Sequence, residues 1–150
     1  MRRSQTPKAG VRIAIERRRS AAVADDLWRG LIAYSRDKAG PARYARIVIS
    51  ARDAEERLLG GLILESYFLE SYVELLWVSP KARGQGLGEA LLAKAEGLAR
   101  GRGSRLIHLN TYSFQAPKFY QRQGYRRFGS LSGSPRGARR HFYVKRLERA

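Results

Sequence analysis

A strand-like run leads through a glycine-spaced turn directly into an amphipathic helix near the middle of the chain. The run YVELLWV, Tyr72 to Val78, is typical of a strand, and Pro80 ends it. From Gly86 to Arg100 the apolar residues recur at helical spacing, which predicts a helix with one buried stripe. Such a helix must bury its stripe against another element. The chain is therefore restricted to folds in which helices pack on a sheet.

The other segments extend this alternation over the whole chain. Before the central strand the pattern predicts a strand over Val11 to Glu16, a helix over Ala21 to Arg36, and strands over Tyr44 to Ala51 and Leu58 to Tyr67. After the central helix it predicts a strand over Arg105 to Tyr112, a short helix over Ala116 to Gln123 capped by Gly124, and strands in GYRRFG and RRHFYVKRL. The predicted order is β-α-β-β-β-α-β-α-β-β, an α/β fold with a mixed sheet (α+β). Short turns between three successive strands predict an antiparallel meander.

Length and hydropathy favour a single domain, because 150 residues is a common domain size. We expect residues 1–10 to form a flexible basic tail and residues 11–150 to form one domain. No segment approaches the roughly 18 uninterrupted apolar residues of a membrane span, and no apolar block follows the basic start as in a secretory signal. These features predict a cytoplasmic protein that does not bind membranes.

The residue types exclude several kinds of site. The sequence has no cysteine, so disulfides, thiolate metal sites and cysteine nucleophiles are excluded. His108 and His141 are the only histidines, too few for a histidine-built metal centre. Both lie in predicted strands, where we expect structural roles. We therefore predict no metal.

The net charge is the unusual quantity in the composition. Thirty Lys and Arg residues stand against 13 Asp and Glu residues, which gives a formal charge of +17. Such a surface attracts polyanions, whether nucleic acid, acidic membrane or a phosphorylated small molecule. The basic residues are scattered rather than gathered in one block. A solvated cationic surface therefore explains the charge equally well.

Three phosphate-binding patterns compete for the turn ARGQGLGEA. A P-loop needs Lys-Ser or Lys-Thr after its last glycine, and no such pair follows any glycine here. The dinucleotide fingerprint would place its third glycine at Glu89, whose carboxylate opposes a pyrophosphate. The pattern R-x-x-G-x-G fits, with Arg83, Gly86 and Gly88 leading into the helix. Glycine backbone and the free N–H groups of a first helical turn can surround an anion, so the turn is either a phosphate site or an ordinary glycine-rich connection.

Two motifs resemble the GNAT family of N-acetyltransferases. LLWVSPKARGQGLGEALLAKAE resembles the family's acyl-coenzyme A-binding core, which has [RQ]-x-x-G-x-[GA] after a strand and an x-P-x-x turn. NTYSFQAPKFYQRQGYRRFG, Asn110 to Gly129, resembles the next family motif, a strand, a short helix with a tyrosine, and Gly-Tyr entering a strand. The resemblance implies the GNAT fold. It also implies an enzyme that moves an acetyl group from acetyl-CoA to a primary amine of a small molecule, peptide or protein.

The resemblance further implies where acetyl-CoA binds. In such enzymes the pyrophosphate lies on the glycine loop, and the pantetheine arm follows the preceding strand through backbone groups. The implied cofactor-binding residues are Leu76, Trp77, Val78, Arg83, Gly84, Gln85, Gly86, Leu87, Gly88, Glu89, Ser113, Ala116, Phe119 and Tyr120. We expect the Trp77 side chain in the core and only its backbone at the cofactor. Many relatives carry Asn at the position of Ser113. We expect the Ser113 side chain either to cap the short helix or to hydrogen-bond the cofactor arm.

Two catalytic residues are predicted. Tyr120 matches the family's tyrosine that protonates the departing thiolate, and a phenol with a pKa of about 10 can donate to such a group. Glu74 carries a charge inside an otherwise apolar strand and is the leading candidate for the base that deprotonates the amine. Glu65 and Glu70 are weaker choices. An ion pair between Glu74 and one of the many arginines explains the residue equally well.

Two functions remain open on the sequence alone. The first is an acetyl-CoA-dependent N-acetyltransferase whose acceptor the sequence does not name. The second is a nucleic-acid- or ribosome-associated binding protein on the same fold, suggested by the charge of +17. The intact loop together with Tyr120 favours the enzyme, because a binding module needs neither. Many relatives dimerise, so the resemblance also admits a homodimer.

Overall fold

The computed structural model describes residues 10–148, which fall into two compact units. The first unit ends at Ala42 and the second begins at Arg43. The expected flexible tail, residues 1–10, lies almost wholly outside the described residues. The expectation of a single domain over residues 11–150 stays a prediction.

The first unit contains one helix, α1 (Ser20–Ala39), which confirms the predicted helix. It ends at Gly40, whose φ of +78° is reached without strain because glycine has no Cβ. The Gly40 N–H donates to the Arg36 carbonyl and closes the last turn. Among the residues described, no helix is long and apolar enough to cross a membrane.

The predicted first strand is wrong. Residues 11–16 take no regular structure, and the sheet includes no strand from this part of the described chain. Val11, Ile13 and Ile15 are each more than 60% exposed. Alternating apolar residues favour a strand only where a neighbouring strand pairs with them and a core covers one face. These residues have neither.

The second unit is a six-stranded mixed sheet with two helices. Its strands are β1 (Ala45–Arg52), β2 (Leu58–Tyr67), β3 (Glu70–Val78), β4 (Leu106–Tyr112), β5 (Arg126–Leu131) and β6 (Arg140–Arg146). Helix α2 (Leu87–Gly101) follows β3, and α3 (Pro117–Arg122) follows β4. The strand order is β1-β2-β3-β4-β6-β5, in which only β3 and β4 run parallel. This confirms the mixed sheet and the antiparallel meander of β1 to β3.

One face of the sheet is buried under α2 and α3. The alternation of β2 turns Leu62 and Leu64 to this side, and β4 does the same with Ile107 and Leu109. The core cluster that they form with α2 and α3 includes Leu91, Leu92, Ala95, Ala99 and Tyr120. The opposite side of the sheet, which we call the second face, carries the residues that alternate with these core residues along each strand.

The two halves of the sheet are joined by a short parallel ladder. β3 and β4 pair from Glu70 with Leu106 to Val73 with Leu109. Beyond Val73, β3 continues to Val78 while paired only with β2, and β4 continues to Tyr112 while paired only with β6. We call the space between residues 74–78 of β3 and residues 110–112 of β4 the interior gap.

A β-bulge lies where the gap opens. Leu64 pairs with Val73 but Ile63 pairs with Leu75, so Glu74 is the extra residue of β3. A bulge shifts the alternation of side chains by one position. Leu76 and Val78 therefore pack against the core, whereas Glu74, Leu75 and Trp77 are exposed.

Candidate active site

The glycine loop between β3 and α2 has an open surface. Gly84 and Gly86 have φ of +72° and +78°, and no other atom lies within 4 Å of the place where a Cβ would stand on either. Gly86 caps α2, so the free N–H groups of the first helical turn begin directly after it. Open backbone, free N–H groups and the positive end of the helix dipole make this turn suited to an anion. The pyrophosphate of a coenzyme fits these features.

Polar side chains of the loop hold its shape. The Arg83 Nε donates to the Val78 carbonyl at 3.1 Å, and the Gln85 Nε2 donates to the Lys81 carbonyl at 3.0 Å. Arg83, Gln85 and Glu89 are all exposed. The Arg83 and Gln85 side chains are thus tied partly to the backbone of their own loop.

The end of β3 presents an unpaired backbone edge to the interior gap. The N–H and C=O groups of successive residues in a strand point to opposite sides. In residues 74–78, the groups that do not face β2 therefore face the gap. The predicted residues Leu76, Trp77 and Val78 form the end of this strand, where the Val78 carbonyl already accepts from the Arg83 Nε. The core position expected for the Trp77 side chain is wrong, because the bulge turns it to the second face with 43% exposure.

Helix α3 places Tyr120 in the core cluster on the face of the sheet that the helices cover. Tyr120 is 7% exposed and packs edge-on against Phe119 and Tyr125. Burial raises the pKa of Tyr120 to about 12, which keeps the phenol protonated. Within residues 10–148 its hydroxyl has no hydrogen-bond partner. Tyr120 is thus a buried phenol that stays protonated.

Two glycines lie next to α3. A Cβ on Gly88 would lie 3.5 Å from the Phe119 ring, an ordinary van der Waals distance, so the first turn of α2 lies beside α3. Gly124 takes φ of +83° after the end of α3, and Tyr125 donates its N–H to the Tyr120 carbonyl. This is the Schellman arrangement, which confirms the predicted glycine cap.

Ser113 does not cap α3, contrary to one expectation. The N-cap residue is Ala116, which has no side-chain cap. The Ser113 hydroxyl instead accepts from the Arg139 N–H at 3.1 Å, and the Ser113 N–H donates to the Arg139 carbonyl at 2.8 Å. Ser113 thus joins the end of β4 to the segment before β6.

Glu74 is paired with an arginine. The Arg46 Nε and Nη2 donate to the two Glu74 carboxylate oxygens at 3.0 and 3.1 Å. Arg46 also approaches Glu65 at 3.8 Å, and the Tyr44 hydroxyl donates to Glu65 at 3.2 Å. The bulge exposes Glu74, so its charge is solvated rather than buried in an apolar strand. The structure brings Glu65 and Glu74 together on the second face, whereas Tyr120 lies on the core side.

A polar chain missed from the sequence lies where the gap opens. Asn110 donates through Nδ2 to the Tyr72 hydroxyl at 2.8 Å and accepts from the Arg140 Nε at 2.7 Å. Tyr72 also stacks on His108 with ring centroids 5.0 Å apart. The alternation of LIHLNTY, with Ile107 and Leu109 buried, could have shown that Asn110 shares a face with His108. No local pattern indicates Arg140 as its partner, 30 residues away.

The two histidines hold structural positions, as expected. His108 packs on Tyr72, and burial lowers its pKa, with Glu70 acting in the opposite direction. His141 Nδ1 lies 2.7 Å from the Ser130 hydroxyl. The described residues contain no group of three or more side chains able to hold a metal ion.

The comparisons with known proteins agree with this geometry. The family described as "Acetyltransferase (GNAT) domain" matches residues 43–127. Blasticidin-S acetyltransferase of Streptomyces morookaense is 45% identical over 91 residues, which cover 60% of this chain and 67% of that protein. Acetyltransferase Atu2258 of Agrobacterium fabrum is 35% identical over 101 residues, which cover 67% and 74%.

Solved structures show the same fold. The crystal structure of an acetyltransferase from Agrobacterium tumefaciens superposes with a TM-score of 0.81 at 29% sequence identity, and the match covers 91% of this chain and 99% of that one. The matched family region begins with β1 and includes the interior gap, the glycine loop and Tyr120. The chain belongs to the GNAT family of acetyltransferases and is an acetyl-CoA-dependent N-acetyltransferase.

Proposed function

We propose that this enzyme acetylates a primary amine of a small molecule by direct attack on the acetyl thioester. The observation that carries the proposal is the alignment of the open glycine loop with the unpaired backbone edge of β3, which suits an extended phosphorylated donor. Support for a small acceptor comes from the relative named for blasticidin S, which is 45% identical over the matched region.

The donor supplies an activated acetyl group. The backbone of Gly84, Gly86 and Gly88 with the start of α2 would hold its pyrophosphate, and the β3 edge at Leu76 to Val78 would hold its arm. The neighbouring positions Ala116 and Phe119 would border the arm from α3, and Leu87 and Glu89 from α2. The interior gap separates the two halves of the sheet, so an arm bound there would have protein on both sides.

The chain's own side chains would move two protons. The amine nitrogen forms a bond to the carbonyl carbon, the carbon–sulfur bond breaks, and the sulfur leaves with the bonding electrons. Tyr120 would give its hydroxyl proton to that sulfur, a role consistent with a phenol kept protonated by burial. Glu74 would accept one proton from the ammonium, directly or through water, before the nitrogen attacks. The second proton would leave the nitrogen as the adduct collapses and return through water to the Tyr120 oxygen, which restores the phenol. Its ion pair with Arg46 holds the carboxylate in place on the second face.

The test is a panel of small amines, peptide N-termini and lysine peptides incubated with the enzyme and acetyl-CoA. Release of free thiol would be recorded with time, and the acetylated product would be identified by mass spectrometry. We expect saturable thiol release with at least one small amine, together with a product heavier by one acetyl group. Transfer only to peptides, or thiol release with no acetylated amine, would contradict the proposal.

A further inference from the structure

An aromatic stack with an arginine inside it lies on the second face, beside the interior gap. Phe114 stacks on Tyr112 with ring centroids 5.3 Å apart and planes within 9° of parallel. The Arg140 guanidinium lies 5.7 Å from the ring centroids of both Tyr112 and Phe142. We call these four residues, Phe114, Tyr112, Arg140 and Phe142, the aromatic stack.

The outer end of the stack is exposed. Phe114 is 69% exposed, although its ring is apolar and follows directly on the end of β4. A large ring held parallel to a neighbouring ring, with its outer side in water, offers a flat apolar surface to a second ring. Arg140 adds a positive charge behind Tyr112, which increases the attraction of the stack for an electron-rich ring.

The position of the stack points to the acceptor rather than to the donor. The glycine loop leads into α2, which packs on the core face of the sheet, whereas Tyr112, Arg140 and Phe142 belong to the second face. The hydrogen bonds from Arg140 to Asn110 and from Asn110 to Tyr72 link the stack to the strand that carries Glu74. The stack and the predicted base therefore lie on the same face, on opposite sides of the gap.

The charges on this face suit a ring that carries an amine. Glu65 and Glu74 bring two carboxylates together, and Arg46 is the only cation of the described chain in an ion pair with them. Arg140 lies in the aromatic stack on the other side of the gap, so Glu65 and Glu74 are a local pair of negative charges on the β3 side, in a protein whose formal charge is +17. An ammonium group would be attracted to the Glu65 and Glu74 carboxylates, while the ring to which it is joined would lie on the β4 side of the gap.

We infer that the acceptor is an amine with a planar aromatic ring, which stacks on Phe114 while its amino group lies near Glu74. The inference rests on the proposed function and adds the substrate class and the residues that select it. The adenine ring of the donor is also planar, so it could stack on Phe114 in the same way as an aromatic acceptor. The experiment must therefore distinguish the two rings.

The test uses two amines of nearly the same shape, 2-phenylethylamine and 2-cyclohexylethylamine, which differ in the aromaticity of the ring. For each amine, kcat/KM would be measured by thiol release, and the dissociation constant would be measured by NMR titration of the enzyme in the presence of CoA. We expect the aromatic amine to be favoured by about fivefold or more in both measurements, the ratio that one stacking or cation–π contact provides.

The matched variants are Phe114→Leu and Phe128→Leu. Phe128 is also exposed, 59%, but lies beyond Phe142 at the far end from the gap. We expect Phe114→Leu to bring the ratio close to one with the KM for acetyl-CoA unchanged, and Phe128→Leu to keep the wild-type ratio. A ratio near one in the wild-type enzyme, or an equal loss in both variants, would overturn the inference.

The remaining outcomes are also decisive. If Phe114→Leu raises the KM for acetyl-CoA and leaves the amine ratio unchanged, the ring on Phe114 is the adenine and the inference is wrong. If neither amine is acetylated, the ratio of dissociation constants still tests the aromatic site. In that case, absence of acetyl transfer to every amine of the panel counts against the proposed function alone.

Discussion

At the scale of single residues, Tyr120 carries the sharpest prediction. Replacing it with Phe removes one hydroxyl from a packed ring and keeps the edge-on contacts with Phe119 and Tyr125. Because a general acid acts in the transition state, turnover should fall by roughly 10² while affinity for CoA stays within about twofold. Steady-state kinetics and calorimetric titration with CoA would measure the two quantities. Unchanged turnover would remove Tyr120 as the acid.

The raised pKa of Tyr120 also predicts how stability changes at alkaline pH. Its pKa is about 12 in the fold and about 10 in an unfolded chain, so folding favours the protonated phenol. The stabilisation is complete below the unfolded value and is lost as pH rises from about 10 to 12, by about 1 kcal/mol at pH 11. Urea unfolding at about pH 8 and pH 11 should show a smaller loss in Tyr120→Phe than in the wild type. Equal losses would contradict this prediction.

The Glu96 cluster predicts non-additive changes in stability. The Lys145 Nζ lies 2.9 and 2.8 Å from the two carboxylate oxygens of Glu96, and the Tyr125 hydroxyl donates to the same carboxylate. The Glu96 side chain is only 9% exposed. Removal of the Glu96 charge takes away the ion-pair partner of Lys145, and removal of Lys145 leaves the largely buried Glu96 with Arg100, at 3.5 Å, as its counter-charge. Glu96→Gln and Lys145→Met should therefore each cost about 2 kcal/mol. In urea unfolding the double variant should lose clearly less than the sum of the two.

At the scale of elements, replacing glycine with alanine should have opposite effects on stability at two positions of α2. Gly86→Ala places a Cβ on a residue with φ of +78° at the start of the helix, which should cost about 1 kcal/mol and weaken CoA binding. Gly97 is exposed inside the same helix and has open space around it, so Gly97→Ala should stabilise by about 0.5–1 kcal/mol and leave CoA binding unchanged. Thermal unfolding and calorimetric titration of both variants test the pair.

The elements themselves were largely predictable, because most carry their own signals. The structure confirms three local features, which are the apolar stripe of α2, Pro117 at the start of α3 and Gly124 at its end. Val11 to Glu16 shows the opposite case, since alternation could not reveal the absence of a pairing strand. A strand prediction needs its partner, and the partner is not local information.

The site was predictable only in part for the same reason. The loop glycines and Tyr120 lie in continuous motifs, so the sequence alone could single them out as candidates. The bulge at Glu74 depends on the register between β2 and β3, so neither the exposure of Trp77 nor the solvation of Glu74 could be foreseen. Arg46 joins Glu74 across 28 residues, and Arg140 joins Asn110 across 30. Such pairs become visible only when the sheet order is known.

At the scale of the whole molecule, the charge of +17 predicts a salt-dependent enzyme. A cationic surface raises the rate of encounter with a polyanionic donor, and salt screens this attraction. The kcat/KM for acetyl-CoA should therefore fall several-fold between low salt and about 0.3 M NaCl. The value for S-acetylpantetheine, which lacks the phosphates, should change little. Equal salt dependence for both donors would show that the charge does not serve donor capture.

The same salt series tests the alternative of nucleic-acid binding. Titration with a single-stranded oligonucleotide would show a steep loss of affinity with salt if phosphates are bound. Inhibition of acetyl transfer by the oligonucleotide would place both ligands on overlapping basic surface. The homodimer admitted by the family resemblance remains a prediction, which sedimentation at several concentrations would test.

The short parallel ladder between β3 and β4 gives the sheet two further edges in its middle, one on each strand. Sheet edges attract other strands, and proteins usually shield them with charge, bulges or covering segments. Here a bulge with a charged residue stands where the β3 edge begins, and an extended donor arm would cover the rest. The donor would then act like a missing strand, so the free enzyme should be the form prone to self-association. Binding of the coenzyme would therefore protect the protein from self-association in addition to supplying the acetyl group.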